Sequence, residues 1–455
     1  MKQQSERLGK EPIPKLLSKL AFPAMIGMFV MASYNVVDTI IISKAVGTLG
    51  VAAVSIAFPV QMIMMALAGA IGIGGASVIS RMLGANKLAT ANQVFGNVIS
   101  LVLIISIIGL LLGLSLLTPI LILFGSSPTI LPLAQDYLGI ILYGTVFFAF
   151  GFSMNNIVRS EGNARTAMMT MVISAALNVV FTMFLVFVMN LGIKGSALGT
   201  VLAQAVTACY LIIYFIRGRS SLSFKPLYLI PRLFIIKQIS AIGSSAFIQQ
   251  AAGSVMFIVA NHMLVFYGGD LAVAVFGIIH KVLMFSLMPI VGVVQGLLPI
   301  VGYNFGANLH HRVSESILLA IKASTIIATT AFVSVMAFPR ILMLVFTDDI
   351  LAVEMGITAL RIIFALSMTI GLQIITGGVF QALGKARAAF ILSMSRQIFF
   401  LIPMLLAFPL IFGLSGVWLA FPLSDLLSFF LSLWYIQKHK SIFFIGKQSV
   451  ASSLN

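Results

Sequence analysis

The chain has 455 residues, of which 60% are hydrophobic and only 8% are charged, and it carries a formal net charge of +16. Soluble globular proteins carry charge on about a quarter of their residues, so this composition excludes an ordinary soluble enzyme or binding module. The single cysteine, Cys209, excludes an internal disulfide.

Apolar runs of about 20 residues or more, long enough to cross a bilayer as a helix, recur along the chain. They lie near 20–43, 51–80, 93–124, 132–157, 166–190, 195–216, 240–266, 272–302, 314–339, 355–380, 388–412 and 415–437. Membrane strands would alternate over about ten residues, whereas these runs are continuous. The expectation is an all-α polytopic membrane protein with twelve transmembrane helices. The basic leader MKQQSERLGKEPIPKLLSKL precedes a long apolar core followed by eleven more spans, so it reads as a retained N-terminus and not a cleaved signal.

Lys and Arg crowd one set of loops: Lys2 to Lys19, Arg81 and Lys87, Arg159 and Arg165, Arg217 to Lys237, Arg312, Lys385 and Arg387, and Lys438 to Lys447. By the positive-inside rule both termini are cytoplasmic, in the bacterial cytoplasmic membrane. The basic loops serve insertion and anionic lipid, with no nucleic-acid partner required.

Two loops repeat at one offset. Gly84-Ala85-Asn86 recurs as Gly306-Ala307-Asn308, and Gly162-Asn163-Ala164-Arg165 as Gly384-Lys385-Ala386-Arg387, both 222 residues on (306 less 84, 384 less 162). VGTLGVAAV from Val46 matches GGDLAVAVF from Gly268 at that spacing, and NLGIKGSALG from Asn190 matches IFGLSGVWLA from Ile411 with a one-residue slip. The chain therefore reads as two six-helix bundles related by a pseudo-two-fold axis along the membrane normal. The boundaries are 1–216 for the N-terminal lobe, 217–239 for a cytoplasmic linker and 240–455 for the C-terminal lobe and tail. Two such bundles suit alternating access about a central site.

Asp38, in MASYNVVDTIII, is an acid at membrane depth, a functional-site hypothesis by default. Asn35 lies one turn earlier on the same face. A carboxyl in a site that alternates between dry and wet takes up and releases protons; the competing reading is a structural acid bonded to a neighbouring helix. In the second half Gln249, Gln250, His280, Lys281, Gln295, Arg396 and Asp425 interrupt apolar sequence, and these are the substrate-cavity candidates. His280 could equally be structural, and so could Asp425, whose repeat equivalent is Gln204. Arg159, Glu161 and Arg165, with Lys385 and Arg387, are expected to pair at helix ends as an inward gate. The 24 Met and 36 Phe suit promiscuous apolar binding but also ordinary packing. Pro23, on the Asp38 helix, is a point where that helix can bend.

Tyr34-Asn35-Val36-Val37-Asp38-Thr39, Gly84-Ala85-Asn86, Asn156 through Asn163, Leu177-Asn178 and Gln295 through Gly306 together resemble the multidrug and toxic compound extrusion (MATE) antiporters, over about 15–437. The resemblance implies a transporter and not an enzyme. It implies export of amphipathic, cationic organic compounds by a monomer, with a proton or sodium as coupling ion and no cofactor or metal. It gives Asp38 the coupling role. Many prokaryotic members carry a second acid after the fifth-helix Leu-Asn, but here Thr182 follows Asn178 by four residues, so these two could supply only neutral oxygens. With one carboxylate, protons suit the site better than sodium, which wants several oxygens. No mid-membrane acid occurs in the seventh or tenth helix; Glu354 lies at the entrance to the tenth. A lipid-precursor flippase would need a strongly cationic cavity, for which only Lys281 and Arg396 are available. A channel fits the six-plus-six repeat poorly, and the His310-His311 pair lacks the partners an enzyme would need.

Overall fold

The computed structural model describes residues 3–218 and 220–444, the side chains of Asn35 and Thr48 excepted. Among these residues the secondary structure is helical, without strands. A short helix, Gln3–Lys10, precedes the spans. The first six spans are Ile13–Val46, Leu49–Gly84, Leu88–Ser115, Leu131–Ser160, Ala164–Val188 and Gly192–Ile216. A 74-residue helical run, Leu233–Gly306, follows and is broken at Gly269, so it supplies the seventh and eighth. His310–Ala337 is the ninth; Ile350–Phe364 and Ser367–Ala382, bent by 41°, make the tenth; Ala386–Phe412 and Leu414–Lys438 complete the set. Dividing the long run at Gly269 and joining the bent pair gives the twelve spans expected.

The repeat is written in backbone conformation. Gly47 and Gly269 have φ of 75° and 67°, Asn86 and Asn308 both 57°, and Gly162 and Gly384 86° and 73°. Each pair is 222 residues apart, and Gly192 and Gly413, at 53° and 56°, follow the one-residue slip. This left-handed region is open to Gly and tolerated by Asn. The recurring motifs are therefore the turns that end one span and start the next.

Two compact units form. One joins the described residues up to Lys10 with Ile26–Gly243; the other joins Glu11–Met25 with the residues from Ser244 on. The first span thus contributes its start to one unit and the remainder to the other.

The first unit buries a core of Ala53, Ala57, Leu121, Tyr137, Leu138 and Leu142. Small residues bring its helices close: a Cβ on Gly72 would lie 2.9 Å from Ser153 Cα, and one on Gly199 would lie 2.6 Å from Thr182 Oγ1. Such small-residue seams replace hydrophobic driving force between helices in lipid. The segment after the sixth span is fastened along the third. Asn92 exchanges two hydrogen bonds with Ser223, each 2.9 Å. Asn97 Nδ2 donates to the carbonyls of Tyr228 and Ile230, and its Oδ1 accepts from Arg232 N at 2.7 Å.

The second unit packs Phe276, Phe364, Trp418 and Phe421 among aliphatic residues. Gly292 and Gly296 of the eighth span lie against Met25 and Leu20–Ala21, where a Cβ would clash. Arg312 bonds Asn304 Oδ1 at 3.0 Å and the carbonyl of Glu11. Exposed apolar residues such as Leu111, Leu112 and Ile107 give the spans their lipid-facing surface.

Candidate functional site

Three buried carboxyl groups organise the polar chemistry, and each meets a different environment. Asp38 is 8% exposed, and its Oδ1 is buried without a hydrogen-bond partner. The phenols of Tyr34, one turn earlier on the same helix, and of Tyr137 from the fourth span lie within electrostatic reach of it. Gln61 from the second span adjoins Tyr137, and its Nε2 is also buried without a partner. The side chain of Asn35 lies outside the described residues.

Asn178 and Thr182 are fully buried and occupied elsewhere. Asn178 Nδ2 donates to Thr200 Oγ1 at 2.9 Å, and Thr182 Oγ1 donates to Asn178 Oδ1 at 3.5 Å. Among the described residues no hydrogen bond joins this trio to Asp38. A π-helical turn, Phe184–Val188, follows directly in the same span.

Asp425 takes the opposite course. It is 1% exposed, and its Oδ1 accepts from Arg396 Nε at 2.6 Å. Its backbone carbonyl accepts from Gln373 Nε2 at 2.9 Å, and Gln373 also donates to Thr369 Oγ1. Ser395 and Ser428 hydroxyls meet at 2.9 Å, pinning the eleventh span to the twelfth one residue from Arg396. Arg396 itself stands on a π-helical turn, Ser395–Leu401. His280 sits edge-on to Phe257, with ring centres 4.5 Å apart, and Lys281 lies 5.7 Å from the Phe346 ring centre. Gln249 is exposed; Gln250 and Gln295 are half-buried.

Glu161, in the turn between the fourth and fifth spans, is 0% exposed and bonded only to neutral donors. Ser220 Oγ donates at 2.6 Å, Ser221 N at 3.0 Å and Tyr214 OH at 3.3 Å. Burial pushes its carboxyl up to about 7 against the downward pull of those donors. The expected pairing of Glu161 with Arg159 or Arg165 does not occur: Arg159 is buried with Nη2 3.3 Å from Met171 Sδ, and Arg165 is exposed. The reason is local. The left-handed turn at Gly162 folds Glu161 toward the segment after the sixth span, whose backbone N–H and hydroxyls fill its lone pairs. Lys385 is half-buried, which draws its ammonium below the ordinary lysine range, and Arg387 is exposed.

Tyr137, Gln61, Gln373, Ser220 and Tyr214 were not singled out by sequence. Tyr34 and Gln373 could have been: the first stands four residues before Asp38, and the second is a lone amide in an apolar span. The others are remote in sequence from the acids they serve.

Twelve spans, a twofold repeat and buried acids at membrane depth define the class as a multi-pass transporter. The profile of the MatE family matches residues 23–184 and 245–406, segments that start and end 222 residues apart (245 less 23, 406 less 184), and the chain belongs to the MATE family of multidrug transporters. Among relatives, "Multidrug export protein MepA" of Staphylococcus haemolyticus (strain JCSC1435) is 26% identical over 436 residues, covering 96% of each chain. The solved structure described as the MATE multidrug transporter DinF-BH in complex with rhodamine 6G is 49% identical, with a TM-score of 0.90 over 98% of this chain and 100% of that one. A multidrug resistance MATE transporter in an outward-facing conformation is 26% identical, also with a TM-score of 0.90, over 96% of this chain and 98% of that one.

Proposed function

We propose that this chain is a cation-coupled antiporter that exports amphipathic organic compounds, cations among them, by alternating access, with Asp38 as the proton-coupling acid. The observation that carries the reading is the unfilled Oδ1 of a buried carboxyl in the first span. An intramembrane acid with neither counter-ion nor hydrogen bond is costly unless its protonation or its access to water changes during function. Tyr34 and Tyr137, with Asn35, Asn178 and Thr182, would form the surrounding polar shell. The likeness to the dye-bound DinF-BH structure supports a planar, amphipathic cation as substrate.

In this reading the lobes 1–216 and 240–455 alternate, and Gln249, Gln250, His280, Lys281, Gln295, Arg396 and Asp425 contribute the C-terminal side of the substrate path. Arg159, Glu161, Arg165, Lys385 and Arg387 act at the cytoplasmic ends, with both termini in the cytoplasm and the protein a monomer in the bacterial cytoplasmic membrane. The deciding experiment is dye efflux from proteoliposomes under an imposed proton or sodium gradient. Wild type should respond to the proton gradient and Asp38→Asn should not. Equal transport by the two proteins under both gradients would remove Asp38 from coupling.

A further inference from the structure

We infer that Arg396 presents an open guanidinium edge that docks an acidic group, so that the transported compounds include amphipathic zwitterions and carboxylates as well as cations. The inference rests on the export reading above and specifies its substrates.

A guanidinium offers five N–H donors, and its strongest pairing with a carboxylate is bidentate, through two parallel bonds. Arg396 does not use that mode. It gives Asp425 a single bond, from Nε to Oδ1. Among the described residues its two Nη groups have no protein acceptor. The burial is equally lopsided: the Asp425 side chain is 2% exposed and that of Arg396 24%.

Asp425 cannot swing round to meet the Nη edge, because it is fully enclosed. Its backbone is held by Gln373, and the adjacent turn is pinned by the Ser395–Ser428 pair. The acid therefore fixes one side of the guanidinium and leaves the other open.

Position gives that open edge its meaning. Arg396 is ten residues into its span, roughly 15 Å from the end at 1.5 Å per residue, where an open charged edge needs water or an anionic group. A purely structural ion pair would be expected to close on both sides, since desolvating a guanidinium with four donors unfilled is expensive. The neighbourhood also supplies acceptors. Gln373 Oε1 and Gln397 Oε1 are buried without partners, and Gln397 directly follows Arg396. An unfilled donor edge near unfilled acceptors suits a compound carrying both a carboxylate and an N–H group.

Other cations within the spans of the second unit do not duplicate the arrangement. Lys281 is engaged with the Phe346 ring, Arg361 is exposed, and Lys322 lies among hydroxyls on the exposed face of the ninth span without an acid beside it. Arg396 alone among them is pre-aimed by a fixed carboxylate.

The test uses the full-length protein in proteoliposomes with a matched dye pair, a cationic rhodamine ethyl ester and the zwitterion formed when that ester is hydrolysed. Binding is read by fluorescence anisotropy and transport by efflux. Wild type should take both. Replacing the pair together, Arg396→Gln with Asp425→Asn, removes both charges at once and avoids an orphaned acid. It should lower the acid-to-ester affinity ratio roughly ten- to hundredfold, the worth of one or two charge-assisted hydrogen bonds. Arg396→Lys should fall between, retaining charge but losing the planar fork.

An unchanged ratio in the double variant would overturn the inference, whatever happens to absolute transport. So would a wild type that carries the ester and refuses the zwitterion. A wild type that carries neither dye would instead count against the export reading itself.

Discussion

Asp38 and Asp425 are the same residue type, both inside membrane spans and both under a tenth exposed, yet their surroundings are opposites. Asp425 is matched by a cation at 2.6 Å and by a ring of helix-to-helix bonds. Asp38 has two phenols within electrostatic reach and an oxygen left unfilled. Burial alone therefore does not assign a role; the supply of partners does. A paired acid is part of the frame, and an unpaired one is available for work. Glu161 is an intermediate case, filled entirely by neutral donors.

The largest expected effect separates the two aspartates. Asp38→Asn should abolish proton-driven efflux, a loss of tenfold or more, while leaving thermal unfolding in detergent essentially unchanged, because no bond is broken. Asp425→Asn should do the reverse. It strands Arg396, and breaking a buried pair from one side costs about 3–5 kcal/mol, visible as a clear drop in melting temperature. If Asp38→Asn unfolds the protein and Asp425→Asn does not, the contrast drawn between them is wrong.

Glu161 sharpens the comparison through pH. Its folded-state value of about 7 lies above the ordinary 4.5, so the folded protein holds this proton more tightly than the unfolded chain. Below about 4.5 both states are protonated and no penalty exists. As pH rises from there to about 7 the unfolded chain ionises first and stability falls, by up to about 3 kcal/mol. Above about 7 the penalty is constant. Glu161→Gln should flatten that slope, measured by thermal unfolding across pH 4.5–8.

The smallest effect belongs to neutral partners. Asn97→Ala leaves the Tyr228 and Ile230 carbonyls and the Arg232 N–H without their side-chain partner, a cost of about 1–3 kcal/mol. Faster proteolysis within 220–232, with dye efflux retained, would mark it as a fastening and not a transport element. Loss of efflux with unchanged proteolysis would contradict that.

The spans and the repeat were legible in the sequence because hydrophobic length and turn chemistry are local. Gly84-Ala85-Asn86 and Gly306-Ala307-Asn308 match in letters because Asn86 and Asn308 share one backbone angle. Asp38 and Asp425 were legible as oddities for the same reason: an acid in an apolar run shows at a glance. What surrounds them was not. Nothing near Glu161 in sequence points to Ser220, 59 residues away, and the basic residues at its side made an ion pair the natural expectation. The missing contacts are long-range hydrogen bonds whose existence depends on helix packing. Asn178 and Thr182 illustrate the limit: their spacing correctly put them on one face, but helix periodicity says nothing of Thr200, which claims the Asn178 amide.

The membership of the first helix bears on how this chain can be divided. A cut in the polar segment after the sixth span looks like the natural place to make two separately expressed halves. It would leave the second fragment without Glu11–Met25, the stretch on which Gly292 and Gly296 close and whose Glu11 carbonyl Arg312 holds. Restoring those fifteen residues by circular permutation, fused behind the C-terminal tail through a flexible tether, is the route to a second half that folds by itself.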